Sequence, residues 1–124
     1  MSQAVDAKIQ VFEIGPSAVG QRNVGAVART DNLVVLAHVW EKGGEAALHS
    51  HHSTDASWVV LQGQVVFYGE GDVELARLNR TQGVLIPCDV KYWFQSTGDE
   101  PLIMVRAAAK LRPGVDDDRV YVTE

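Results

Sequence analysis

All four histidines of the chain fall between positions 38 and 52, and three of them are His49, His51 and His52. On a β-strand, residues i and i+2 project to one face. His49 and His51 can therefore offer two imidazoles to one ion while His52 points away. Histidine is the common protein ligand for zinc, iron, copper and nickel, and a pair of imidazoles needs only one or two further donors. The competing reading of the same residues is a solvated His-Ser-His-His loop without chemistry.

The elements that must position these side chains read as short strands. Apolar residues recur at period two or in brief blocks, and glycine punctuates them. The pattern predicts strands at Lys8 to Ile14, Leu33 to Trp40, Ala56 to Gln62, Gln64 to Tyr68, Val73 to Leu78, Gly83 to Ile86, Tyr92 to Ser96 and Pro101 to Ala107, with an edge strand at Arg119 to Val122. Gly69-Glu70-Gly71 between Gln64 to Tyr68 and Val73 to Leu78 predicts a hairpin. Ala107 to Leu111 reads either as a turn of helix or as the end of a strand. So many short strands in 124 residues predict an all-β sandwich or barrel, because such sheets must close or pack to hide their edges. Neither a repeat nor a low-complexity linker interrupts the chain, and a single domain over residues 1–124 is expected. Asp116-Asp117-Asp118 lacks the alternating oxygen ligands of a calcium loop and reads as a solvated turn.

Two stretches carry a family resemblance. Gly43, five residues, His49, one residue, His51, four residues, Ala56, six residues and Gly63 reproduce the spacing of the first cupin motif, with Ala56 at its glutamate position. Trp58 to Gly63 is similar to the strand that closes this motif. The second motif survives in outline: Thr81, five residues, Pro87-Cys88-Asp89, two residues, Tyr92, three residues, Ser96. Of that motif Pro87 is kept, and Tyr92 stands where the family has its third histidine. The chain thus resembles the cupins over roughly residues 33–107, which implies a double-stranded β-helix, or jelly-roll, barrel.

The resemblance implies a divalent transition metal at the barrel mouth, with iron, zinc, nickel, manganese and copper all open. Of the family's ligands it carries over His49 and His51. Tyr92, Asp55 or His38 are the further donors considered. Tyr92 ligates only if a cation lowers its pKa from about 10, and it has a second reading as a catalytic acid or base. Asp55 would need the strand to slip by one residue, which reverses its face. His38 is two residues before Trp40 on the preceding strand. Tyr92, Phe94 and Ser96 would share a face pointing into the barrel, and with Trp58 and Arg106 they make up the expected substrate pocket. Trp93 would then face outward as an interface residue, and the resemblance implies a homodimer.

Composition narrows the partners. A formal charge of -5, with 46% hydrophobic and 22% charged residues, describes an ordinary globular chain without the basic cluster that would neutralise phosphates. Nucleic acid and membrane partners are therefore not expected, and a small-molecule substrate or ligand is. The single cysteine, Cys88, reads as a small buried residue rather than a nucleophile. It points to a reducing, cytoplasmic setting, and the first residues lack the pattern of a signal peptide. Two functions compete. One is a metal-dependent enzyme of lyase, cyclase, isomerase or dioxygenase type acting on an oxygenated substrate. The other is a non-catalytic small-ligand-binding cupin with a decayed metal site. A metal-free isomerase using His and Tyr as acid and base is a minor third.

Overall fold

The β-branched and aromatic runs form ten strands in the computed structural model, which describes residues 8–111 and 119–121. They are β1 (Val24–Arg29), β2 (Leu33–Trp40), β3 (His49–His51), β4 (Thr54–Gln62), β5 (Val65–Tyr68), β6 (Glu74–Leu78), β7 (Gly83–Ile86), β8 (Trp93–Ser96), β9 (Leu102–Lys110) and β10 (Arg119–Tyr121). One sheet has the order β1-β2-β9-β4-β7, and two smaller ones run β6-β5-β8 and β10-β3. His49 and Tyr92 exchange two backbone hydrogen bonds, Tyr92 N–H to His49 O at 2.8 Å and His49 N–H to Tyr92 O at 3.1 Å. That bridge joins the two smaller sheets into one layer, so two antiparallel layers face each other as in a jelly roll. No helix among the described residues is long and apolar enough to cross a membrane.

Alternation along the strands fills the space between the layers. On β4 the side chains of Thr54, Ala56, Trp58 and Val60 are buried, while Val59 and Leu61 face solvent. On β9, Leu102, Met104, Arg106 and Ala108 are buried. The apolar core comprises Trp58, Val60, Val65, Phe67, Leu78, Ile86, Tyr92, Phe94, Leu102 and Met104. Phe67 packs edge-on to Trp58 at 5.4 Å between ring centroids. It is a core aromatic that sequence spacing did not single out.

Most expected strands are present. β2 and β7 have the expected bounds, and the predicted hairpin forms as the antiparallel pair β5 and β6. Ala107 to Lys110 continues β9 rather than turning into helix, because Ala107, Ala108 and Ala109 pair with β2 and Lys110 pairs with Thr54 on β4. Lys8 to Ile14 forms no strand: Ile9 and Val11 are 91% and 92% exposed, so the apolar alternation there buries no continuous face. The Gln10 side chain instead takes the place of a ladder partner, accepting from Arg29 N–H at 2.9 Å and donating to Arg29 O at 2.8 Å. β1 was not expected, since Val-Gly-Ala-Val-Ala-Arg is small and weakly patterned. It pairs with β2 through a bulge between Ala26 and Ala28. Asp116-Asp117-Asp118 lies outside the described residues.

The degenerate second motif keeps its backbone. Thr81 and Asp89 stand at its two glycine positions and have φ of 73° and 67°, the left-handed region that glycine enters freely. A β-branched threonine there is strained by about 1 kcal/mol. Thr81→Gly is therefore expected to raise stability by about 1 kcal/mol, or a few degrees in Tm. Thermal unfolding checks it, and a lower Tm would mean the Thr81 side chain contributes more than its backbone costs.

Candidate functional site

β3 brings His49 and His51 into the barrel. Both are buried, and their rings meet edge to face at 5.2 Å between centroids. The backbone bridge sets Tyr92 beside them, its ring 4.5 Å from His49 and 6.1 Å from His51. The residue at the family's third-histidine position thus faces the paired histidines, as the motif register implied. His52 points away, is 58% exposed and hydrogen-bonds through Nδ1 to Asp89 Oδ1 at 2.9 Å.

The orientation of His49 suits a metal ligand. Its Nδ1–H donates to the Ala47 carbonyl at 2.7 Å, the second contact that commonly fixes a ligating imidazole. Nε2 then carries the lone pair, and it is buried with no hydrogen-bond partner among the described residues. Burial lowers the His49 pKa from 6.5 to about 4, against the Ala47 hydrogen bond, which raises it. The ring is therefore neutral at pH 7, the form that binds metal.

Glu45 is the residue that motif matching missed. Its Oε1 lies 3.6 Å from His49 Nε2, and its Oε2 lies 3.6 Å from Arg119 Nη2 on β10. With His49 neutral, the contact between Glu45 and His49 is not an ion pair. Glycine brings the acid in: a Cβ on Gly44 would meet Phe94 O at 2.4 Å, so only glycine lets this segment run against β8. The legible signal was the carboxylate four residues before His49, inside the motif rather than at its glutamate position. β10 covers the same strand, pairing Tyr121 with His49 and Arg119 with His51.

The remaining candidates separate. Asp55 is turned away, its Oδ1 accepting the Cys88 N–H at 2.8 Å. Ala56 occupies the family's glutamate position and is buried. His38 packs on Trp58 at 4.7 Å and Phe94 at 5.9 Å, and its Nδ1 accepts from Trp40 Nε1 at 3.2 Å. No ring contact joins it to His49 or His51 among the described residues. No group of three or more His, Cys, Asp or Glu forms a metal cluster among the described residues. The cleft beside the histidines is lined by His51, Thr54, Ala56, Ile86, Tyr92 and Arg106, among others. Trp58 and Phe94 are completely buried core beneath it. Ser96 sits farther along β8, paired with Val65. Arg106 is buried, its guanidinium 5.4 Å above the Trp58 ring. Trp93 stacks on Tyr68 at 4.4 Å and donates to Asp72, and it stays partly exposed. Cys88 is half-buried, and burial with nearby Asp89 and Asp55 pushes its thiol pKa up, away from nucleophilic character.

Burial, with the positive charge of Arg106, lowers the His38 pKa from 6.5 to about 3. The folded chain therefore binds this proton less readily than the unfolded chain. Stability from this group is complete above pH 6.5 and falls as pH drops from there toward 3. In His38→Gln, which keeps an acceptor for Trp40, the acid slope of urea-unfolding stability is expected to be shallower. An unchanged slope would assign the acid sensitivity to other groups.

The chain matches no family model and no curated relative. Solved structures do match. An uncharacterized conserved protein with a double-stranded β-helix domain from Klebsiella pneumoniae superposes with TM-score 0.76 at 20% identity, over 94% of this chain and 100% of that one. Streptomyces PAC13, in a tyrosine-to-phenylalanine variant with uridine, matches at TM-score 0.65 and 16% identity, covering 94% and 95% of the two chains. Another structure of Pac13 names it a nucleoside dehydratase. KdgF from Halomonas matches at TM-score 0.60 and 19% identity, over 72% of this chain and 80% of that one. With the paired layers and the motif glycine positions, these likenesses establish the architecture: the chain has the double-stranded β-helix fold of the cupins.

Proposed function

We propose that the protein is a metal-dependent enzyme acting on a small oxygenated substrate, with the divalent ion held by His49 and His51. The observation that carries this reading is the buried Nε2 of His49, without a hydrogen-bond partner among the described residues, on a ring whose other nitrogen is anchored to Ala47 O. Ligands bound at about 2.0–2.2 Å around a tetrahedral ion stand roughly 3.3–3.6 Å apart. The 3.6 Å between His49 Nε2 and Glu45 Oε1 is near that separation. His49, His51 and Glu45 do not already stand as a three-donor group among the described residues, so in this reading Glu45 would shift onto the ion as the third donor, Ala56 offering none. A bound divalent ion would polarise a carbonyl or stabilise an enolate there.

The chain's own residues supply the rest. The Tyr92 hydroxyl, on a ring packed against His49, is the group that donates a proton to a substrate oxygen or takes one back. The aromatic floor of Trp58, Phe67 and Phe94 excludes water beneath the site, which strengthens its electrostatics. Reaction class stays at the level of lyase, cyclase, isomerase or dioxygenase, since one fold hosts all of them. That a neighbour of this fold is named a nucleoside dehydratase supports an enzymatic reading.

Elemental analysis of untagged protein purified without chelator tests the proposal, with near-stoichiometric metal as the expected result. Iron would select redox chemistry, and zinc Lewis-acid chemistry. Glu45→Gln is expected to lower metal content severalfold. The second reading, a non-catalytic ligand-binding cupin, is favoured by Ala56 at a ligand position. Protein that stays metal-free after reconstitution with iron, zinc, nickel, manganese and copper would replace the first reading with the second.

A further inference from the structure

Beside the histidine cleft lies a cavity of about 190 Å³ lined by Arg29, Val34, Leu36, Thr54, Arg106, Ala108 and Lys110. Three of these side chains are cationic and none is acidic, in a chain whose net charge is -5. The ladder explains the convergence. β1 sets Arg29 opposite Val34, β2 sets Leu36 opposite Arg106, and β4 sets Thr54 opposite Lys110.

Arg106 is the informative member. It is 5% exposed, and its Nε and Nη2 have no hydrogen-bond partner among the described residues. No carboxylate of the described residues forms a salt bridge with Arg106, Arg29 or Lys110. A buried guanidinium that finds no anion among the described residues is costly, by several kcal/mol of lost hydration. Stacking over Trp58 at 5.4 Å holds it in place but satisfies none of its N–H donors. Two donors of one guanidinium form the fork that a carboxylate accepts in parallel.

We propose that this cavity binds the carboxylate of a small organic acid, with Arg106 as its buried anchor and Arg29 and Lys110 at the rim. The apolar walls of Val34, Leu36 and Ala108 favour an organic acid over a free inorganic anion. Arg106 and Thr54 line both this cavity and the cleft that contains His51 and Tyr92. A ligand seated on Arg106 would place its uncharged, oxygenated end against the closely packed wall shared with His51 and Tyr92. The link to catalysis rests on the function proposed above, whereas the anion contact itself does not need the metal.

Isothermal titration with levulinate, a keto acid, and its neutral methyl ester tests the site. Wild-type protein is expected to bind the acid about tenfold or more tightly than the ester. Arg106→Gln is expected to abolish that preference. Arg29→Gln and Lys110→Gln, nearer the surface and safe for folding, are each expected to reduce it severalfold. The His49→Ala/His51→Ala double variant is expected to keep it, which separates failure of the metal site from failure of this one. Levulinate that does not bind, equal affinity for acid and ester, or a preference that survives in Arg106→Gln and in both rim variants overturns the proposal. Inorganic phosphate binding more tightly than levulinate overturns the carboxylate assignment.

Discussion

The His49→Ala/His51→Ala double variant is expected to purify folded and nearly free of metal, with each single variant reduced at least severalfold. Removing one imidazole takes away one of few donors, and a site this sparse has little affinity in reserve. Removing both leaves Glu45 and Tyr92, an oxygen pair that suits no tight transition-metal site. The fold has other supports. β3 keeps its backbone pairing with β10, and the hydrogen bonds between His49 and Tyr92 are main-chain. Circular dichroism and elemental analysis on the same samples separate the two effects. Full metal occupancy in a folded double variant would sink the site assignment. Tyr92→Phe adds a second readout: turnover that falls more than metal content would make Tyr92 an acid or base, whereas equal loss of both would make it a ligand.

Trp58→Ala is expected to cost about 3–5 kcal/mol of stability. Trp58 is 1% exposed and lies within ring-contact distance of Phe94 at 5.3 Å, Phe67 at 5.4 Å and Tyr92 at 6.1 Å. It also supports His38 from one side and the Arg106 guanidinium from another. Its loss opens a cavity under the site that β4, held on both edges by β7 and β9, cannot collapse to fill. Domains of this size have about 5–15 kcal/mol in total, so the variant would stand near its unfolding threshold. Trp58→Phe keeps most of the volume and is expected to lose about half as much. Urea unfolding measures both, and a cost below about 1 kcal/mol for Trp58→Ala would show that the core does not depend on this ring.

Much of the fold was legible along the chain, because strand alternation and turn chemistry are local. The bounds of β2 and β7 and the β5–β6 hairpin follow from runs of a few residues. The placing of Tyr92 at the third-histidine position was legible through motif register, and the positive φ at Thr81 and Asp89, which stand at the motif's glycine positions, agrees with that register. β1 escaped because Gly25, Ala26 and Ala28 carry too little apolar surface to produce a period. Lys8 to Ile14 misled for the opposite reason, since alternation marks a strand only where one face is buried.

The site divides along the same line. His49 and His51 share a face by virtue of spacing alone, whereas Asp55, which the shorter three-residue motif spacing left open, is seen only in the fold to turn to the Cys88 N–H while Thr54 and Ala56 point inward. Whether Glu45 reaches His49 depends on how closely Gly44 lets its segment approach β8, a contact between distant parts of the chain. Arg29, Arg106 and Lys110 are likewise dispersed in sequence and meet only because β1, β2, β9 and β4 pair in that order. Periodicity decides which way a side chain points. Only strand order and register decide what it faces, and they are set by the packing of the whole barrel.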